Sequence, residues 1–154
     1  MSDFSIARKN MIQNQLMTSN VVDENILKAF QNIPREIFLP NDKKAKAYLD
    51  EDIQISDDRY LIEPRIIGKI LTLSNIKKDH LVLDLACSSG YSSAVLSKLC
   101  KTVYSIDTKK SLIEDAKLNL KKLKINNVIS LNKNPIYGLK KKFYLIFIFG
   151  GVQY

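Results

Sequence analysis

The stretch LVLDLACSSGYSSAVL, residues 81–96, constrains the fold of this chain more than any other feature. An apolar strand pattern runs into a turn of small residues and then into a helical pattern, and a second strand pattern, TVYSID, follows at 102–107. From residue 80 onward the patterns alternate: LVLDL, YSSAVLSKL, TVYSID, SLIEDAKLNLKKL, NVISL and YLIFIF. Alternation of strand and helix implies parallel strands joined by right-handed crossovers, a doubly wound α/β sheet. Ser111, with Glu114 three residues on, reads as a capping box that opens the second of these helices.

In such a sheet ligands bind beyond the carboxyl ends of the strands, and the first turn is the usual place. The turn keeps one glycine, Gly90, while Ala86 and Ser88 stand where glycines are common. Both are small enough for close backbone approach, but a position that needs positive φ costs a non-glycine residue about 1 kcal/mol or more. Asp107 ends the second strand about 20 residues beyond the turn, where an acid binds ribose hydroxyls; a helix-capping role is the alternative. Asp84 interrupts an otherwise apolar strand. A carboxylate there must be hydrogen-bonded, so it is expected to face the turn amides or a ligand, or else to pin the loop as a structural acid. A turn that serves packing alone also stays open.

Upstream, Asp3 or Ser2 can cap a helix carrying Phe4, Ala7, Met11, Ile12 and Leu16 on one face. A second helix begins at Asp23 and stops at Pro34, which cannot continue it. Residues 37–64 show no clear period and hold an acidic cluster, Asp50, Glu51, Asp52, Asp57 and Asp58, so they read as a long connecting segment of the kind that covers sites. Pro64 suits the first position of a third helix, with Ile66, Ile67, Ile70 and Leu71 as its buried stripe.

Composition removes several chemistries. His80 is the single histidine, which argues against a His-based zinc site or a Ser-His-Asp triad. Cys87 and Cys100 are the only cysteines and lack metal-ligand spacing; they read as buried reduced thiols. No apolar run approaches the roughly 20 residues of a membrane span, and the polar N-terminal stretch lacks a secretory pattern, so the chain is read as cytoplasmic. The net charge of +8 invites a nucleic-acid partner. Twenty of the 24 basic residues are Lys, however, scattered over predicted helix faces in a chain rich in Ile and Asn, and Lys140 to Lys142 read as a solvated loop. That pattern reads as compositional bias rather than as a binding face, and nucleic acid is not expected.

Taken together, ARKNMIQNQL, VVDENILKAFQNIPREIFLP, AYLDED, EPRIIGKIL, VLDLACSSGYSSAVLSKL, VYSID and NV followed by Gly138 resemble the protein-L-isoaspartate O-methyltransferases. The motifs come in that family's order, almost without gaps, from Ala7 to about Gly151. The resemblance implies a Rossmann-like methyltransferase sheet with an N-terminal helical extension, S-adenosylmethionine as cofactor, and damaged aspartyl residues of proteins or peptides as substrate. It divides one structural domain into N-terminal helices with a substrate-side connecting segment, 1–63, and a cofactor-binding part, 64–154. Asp84, Ala86, Cys87, Ser88 and Gly90 fall on the family's cofactor loop, Asp107 on its ribose-binding acid, and Asn134 on its adenine-contacting Asp. Tyr60, Leu61, Ile62 and Glu63 fall on its substrate side.

The departures are specific. Ile62 stands where the family has a Ser that holds substrate, and a hydrocarbon cannot donate that hydrogen bond. Asn134, flanked by Lys133 and Pro135, replaces an acid but still offers a carbonyl oxygen. Tyr144 stands where an Asp often opens the next strand, and the family continues past YLIFIF with a helix and further strands. The resemblance is thus to a C-terminally shortened, motif-degenerate member. If 154 residues are the whole protein, YLIFIF becomes an apolar edge strand. Three readings stay open: a fragment, a shortened gene product, or an edge covered by a partner or a second copy near residues 144–149. A non-catalytic relative that keeps the fold as a binding or assembly module is the alternative to an active enzyme.

Overall fold

The computed structural model describes residues 3–134, 137 and 139–149. The alternative cap Ser2, and Pro135, Gly138 and the tail from Gly150 onward, lie outside the described residues. The chain divides into two compact units, Met1–Asn75 and Ile76–Tyr154. The division falls after the third helix rather than after residue 63, because that helix packs on the N-terminal helical segment. A Cβ built on its Gly68 would lie 3.0 Å from both Leu16 and Val21.

In the first unit, α1 (Asp3–Met11) runs on into a π-helical turn at Ile12–Leu16 and a 3-10 turn at Met17–Ser19. Met11, Ile12 and Leu16 are buried, as their spacing predicts. Asn20 ends the segment in the left-handed conformation, φ 63. Helix α2 (Glu24–Asn32) is capped by Asp23, whose side chain accepts from the amides of Asn25 and Ile26. The segment read as a connector without period contains a small hairpin. Strand β1 (Ile53–Ser56) pairs antiparallel with β2 (Arg59–Leu61) across the two-residue turn Asp57–Asp58, with a bulge between Gln54 and Ser56. Strands this short are set by their pairing rather than by periodicity. Pro64 opens α3 (Pro64–Ser74), which ends at left-handed Asn75.

Arg35 is fully buried here. Its Nε donates to the Ala47 carbonyl at 2.8 Å and its Nη2 to the Leu61 carbonyl at 3.2 Å, tying the 3-10 turn at Arg35–Phe38 to the hairpin. Beside it the Tyr48 hydroxyl donates to Glu36 and accepts from Arg8 Nε and the Arg35 amide. Burial, and then the Glu36 hydrogen bond, push the Tyr48 phenol well above its usual range, so it stays neutral and able to donate.

The second unit is a four-stranded parallel sheet of order β5-β4-β3-β6, built from β3 (Leu81–Leu85), β4 (Thr102–Asp107), β5 (Val128–Asn132) and β6 (Leu145–Ile148). Helix α4 (Tyr91–Ser97) follows β3 and is buried along its length, and α5 (Lys110–Lys122) follows β4. The alternation read from the sequence is therefore the fold. The predicted capping box does not form. Helix α5 starts two residues earlier, with Lys109 at the N-cap and Ser111 already inside, because Asp107 Oδ1 accepts from the Lys109 amide at 3.0 Å and serves the helix start in place of the hydroxyl. Among the described residues β6 pairs only with β3, and Tyr144, Ile146 and Ile148 are 70%, 58% and 48% exposed.

Candidate functional site

The turn between β3 and α4 alternates left-handed residues: Ala86 at φ 56, Ser88 at φ 53 and Gly90 at φ 93. The positions where the sequence trades glycine for Ala and Ser are thus positions where the backbone wants glycine. Each non-glycine there costs about 1–2 kcal/mol of backbone strain. Gly90 is under a second demand. A Cβ built on it would stand 2.9 Å from the Cβ of Ala116 on α5, so conformation and space both require its hydrogen. That explains which glycine remains.

The turn is held from several sides. The Cys87 amide donates to the Ile106 carbonyl at 3.2 Å, and the Gly90 amide to the Cys87 carbonyl at 2.9 Å. The Ser88 amide donates to Asp107 Oδ2 at 3.1 Å. Asn119, buried on α5, donates its Nδ2 to the Ser89 carbonyl at 3.3 Å. Asp107 therefore does two structural jobs, pinning the turn with Oδ2 and capping α5 with Oδ1. Ser92, Ser93, Ala116 and Asn119 are the residues that pattern reading passes over. The signal for Asn119 was an amide at a core position of a helix whose other buried residues include Leu112, Ile113, Ala116 and Leu120.

Asp84 is fully buried and is held from α4, not by the turn amides as its place in the strand suggests. Its Oδ2 accepts from Ser92 Oγ at 2.7 Å and Ser93 Oγ at 2.5 Å, because α4 presents both hydroxyls while Asp107 takes the turn's amide. Its Oδ1 has no partner among the described residues. Burial pushes its carboxyl up to about 7; the serine donors oppose this and the charge of Asp107 adds to it. The Cys87 thiol is raised as well, by burial first and then by the two carboxylates, and lies in the turn as an inert packing group.

Because the strands are parallel, Asp84, the turn, Asp107 and the loop after β5 gather at one end of the sheet. Asn134 lies in that loop, exposed, with its carbonyl accepting from the Tyr137 amide at 3.3 Å. The four substrate-side positions belong to the other unit. Tyr60 is exposed and Ile62 half-buried, while Glu63 Oε1 accepts from Arg65 Nη2 at 2.9 Å. Leu61 departs from the expectation. Its side chain is buried in register with Ile53 and offers a substrate nothing. Alternation along β2 turns it inward between Tyr60 and Ile62.

Comparison with known proteins bears on this geometry. The family model for protein-L-isoaspartate(D-aspartate) O-methyltransferase matches residues 6–146, a range that takes in both units. The chain belongs to this family. Among its relatives, protein-L-isoaspartate O-methyltransferase 2 of Shewanella sediminis (strain HAW-EB3) is 32% identical over 136 residues, covering 88% of this chain and 56% of the relative. The enzyme of Vibrio campbellii (strain ATCC BAA-1116) is 36% identical over 127 residues, 82% of this chain and 61% of the relative. A solved protein-L-isoaspartate O-methyltransferase superposes with a TM-score of 0.81 at 27% identity, over 92% of this chain and 47% of that one. A second, from Plasmodium falciparum and solved with S-adenosyl-L-homocysteine, gives 0.75 at 20% identity over 92% and 72%, which speaks to the fold. The chain spans about half to three fifths of the length of the curated relatives it matches.

Proposed function

We propose that the chain binds S-adenosylmethionine at the β3–α4 turn and takes part in methyl transfer to the carboxylates of isoaspartyl residues in damaged proteins. The observation that carries this reading is the cradle of Ala86, Ser88 and Gly90, bounded by Asp84 and Asp107 and lying at the carboxyl end of parallel strands in a chain of this family. The residues fit the cofactor. A left-handed turn of small residues admits close approach, Asp107 suits ribose hydroxyls, Asp84 Oδ1 is a buried acceptor without a partner, and the Asn134 side chain suits an adenine amine.

When bound, the cofactor supplies a methyl group on a sulfonium. The acceptor, a carboxylate with a pKa near about 4, is already ionised at neutral pH, so no general base is needed. The work left to the chain is alignment and exclusion of water. A cytoplasmic setting belongs to the proposal and agrees with two free, buried thiols, Cys87 and Cys100. No helix of the described residues is long and apolar enough to cross a membrane. Calorimetric titration of S-adenosylmethionine into the folded chain tests the first half of the proposal: saturable binding is expected, and a flat titration with a native circular-dichroism spectrum overturns it. Methylation of an isoaspartyl peptide tests the second half.

Ile62 favours a second reading, in which the cofactor site operates on a different acceptor or in a chain without turnover of its own. Ile62→Ser separates the two. Isoaspartyl methylation gained only in the variant assigns the loss to that side chain, whereas turnover by the unmodified chain removes the second reading. The exposed outer edge of β6 adds an association surface, to be tested by sedimentation of the chain and of Ile146→Lys.

A further inference from the structure

The charge of this chain is not spread as its sequence order suggests. Residues 1–75 hold ten basic and eleven acidic side chains, while residues 76–154 hold fourteen lysines, no arginine and five acids. A uniform compositional bias would load both halves alike. The parallel sheet then sorts the second unit's charge along its own axis. In a parallel sheet, the loops that precede the strands all lie at the same end. Lys77 and Lys78 precede β3, Lys98 and Lys101 precede β4, Lys121, Lys122 and Lys124 precede β5, and Lys140, Lys141 and Lys142 precede β6. Ten of the fourteen lysines thus share the amino end of the sheet, opposite the cofactor turn, with Asp79 as the one acid in those loops.

Nine of the ten are exposed and Lys98 is half-buried. None forms an ion pair with an acid of the described residues; Lys78 is bonded to the Lys98 carbonyl, and Lys141 sits 5.1 Å from the centre of the Tyr104 ring. A like-charge concentration of this size repels itself unless a polyanion neutralises it.

Two further features select the polyanion. A recess of about 410 Å³ lies between α5 and β5, with Lys117, Lys121 and Lys124 at its rim and Ile125 and Val128 among the apolar residues lining it. Lysine beside an apolar recess suits a phosphate joined to a flat base better than a carboxylate on a peptide. At the same sheet end, Tyr144 lies stacked on His80, centroids 4.7 Å apart and planes 6° from parallel, and is 70% exposed, an aromatic platform among cations. We propose that the amino-terminal end of the parallel sheet is a binding surface for single-stranded nucleic acid. Lysines hold the phosphodiester backbone, and the α5–β5 recess and the Tyr144 ring receive bases. With no arginine in the unit to make bidentate contacts to base edges, binding is independent of sequence. The surface is separate from the cofactor turn and does not rest on the proposed methyl transfer.

The test is fluorescence anisotropy of the full chain with a labelled oligouridylate of about 20 nucleotides. Binding is expected in the micromolar range at about 50 mM salt, and with about five phosphates engaged it weakens about 100-fold by about 200 mM. The double variant Lys121→Glu/Lys124→Glu is expected to lose at least about tenfold, and Lys140→Glu/Lys142→Glu to do so independently should the first variant not fold. Lys110→Glu/Lys133→Glu makes the same charge change at the carboxyl end of the same sheet and is expected to change affinity less than about twofold. Three results overturn the proposal: no binding up to about 100 µM at low salt, equal loss in the Lys110/Lys133 variant, or displacement by poly-glutamate as effective as by unlabelled oligouridylate at equal charge. The last would reassign the surface to acidic proteins.

Discussion

The first unit buries Arg35 and the second buries Asp84, each fully, and the two are held in opposite ways. Arg35 donates to the backbone carbonyls of Ala47 and Leu61 and is charged at every accessible pH. Asp84 accepts from two serine hydroxyls, and burial lifts its carboxyl to about 7. A guanidinium fork can staple three segments at fixed geometry, which suits a unit made of short helices, turns and a small hairpin. A regular parallel sheet needs no such staple. Its buried ion sits at the candidate site, where an acceptor of adjustable charge and a spare oxygen can serve a ligand. The first unit should therefore hold or fail as a staple does, and the second should respond to pH.

The sharpest way to break this comparison is at Arg35. Arg35→Met leaves the Ala47 and Leu61 carbonyls without their donors and is expected to destabilise the chain by about 3 kcal/mol, measured by urea unfolding. Arg35→Lys is expected to recover little, because one ammonium cannot reproduce the fork. A loss under about 1 kcal/mol would make Arg35 a passive passenger.

Next in size is Gly90→Ala, which places a Cβ 2.9 Å from that of Ala116 at φ 93 and is expected to cost about 2–3 kcal/mol. Adding Ala116→Gly relieves the contact but not the left-handed strain, so partial recovery is the expected outcome. Full recovery would show that space alone holds Gly90 in place.

For Asp84 the direction follows from its raised carboxyl. Between its ordinary value of 3.8 and about 7 the folded chain holds a proton that the unfolded chain has released. This group's contribution is thus greatest below 3.8, falls as pH rises towards about 7, and is level above that. The slope is at most about 1.4 kcal/mol per pH unit. Unfolding midpoints of the native chain should be higher at about pH 5 than at about pH 8, and the difference should be smaller for Asp84→Asn, which keeps an acceptor for the serines but does not titrate. Identical pH profiles for the two chains would mean that Asp84 is charged throughout.

The smallest effect separates the two glycine trades from the retained glycine. Ala86→Gly removes left-handed strain but adds unfolded-state entropy, leaving a gain of about 0.5 kcal/mol. Ser88→Gly is expected to match it, since Ser88 uses its amide rather than its hydroxyl to meet Asp107. A loss in both variants would show that the turn is not strained.

Much of the second unit was legible because its strands are buried runs broken by turn residues, and because Asp23, Pro34 and Pro64 punctuate the first unit through local chemistry. The site was legible as a place and not as a geometry. Ala86 and Ser88 conceal their φ angles, since only glycine announces a left-handed residue in a sequence. Asp84 was readable as a buried acid, but its serine partners lie one helical step away on α4 and needed the fold to find them. The Ser111–Glu114 spacing was a valid local signal, overridden when Asp107 reached the helix start first.

By itself, then, the sequence determined the order of strands and helices in the second unit, its crossover topology and the family, because hydrophobic period, proline and capping chemistry act between near neighbours along the chain. Only the tertiary structure decided what Asp84 and Arg35 bind, why Gly90 could not be traded while Ala86 and Ser88 could, and where the lysines go. Those depend on groups tens of residues apart. Four loops scattered along the sequence become one cationic surface because parallel strands must all begin at the same end of the sheet.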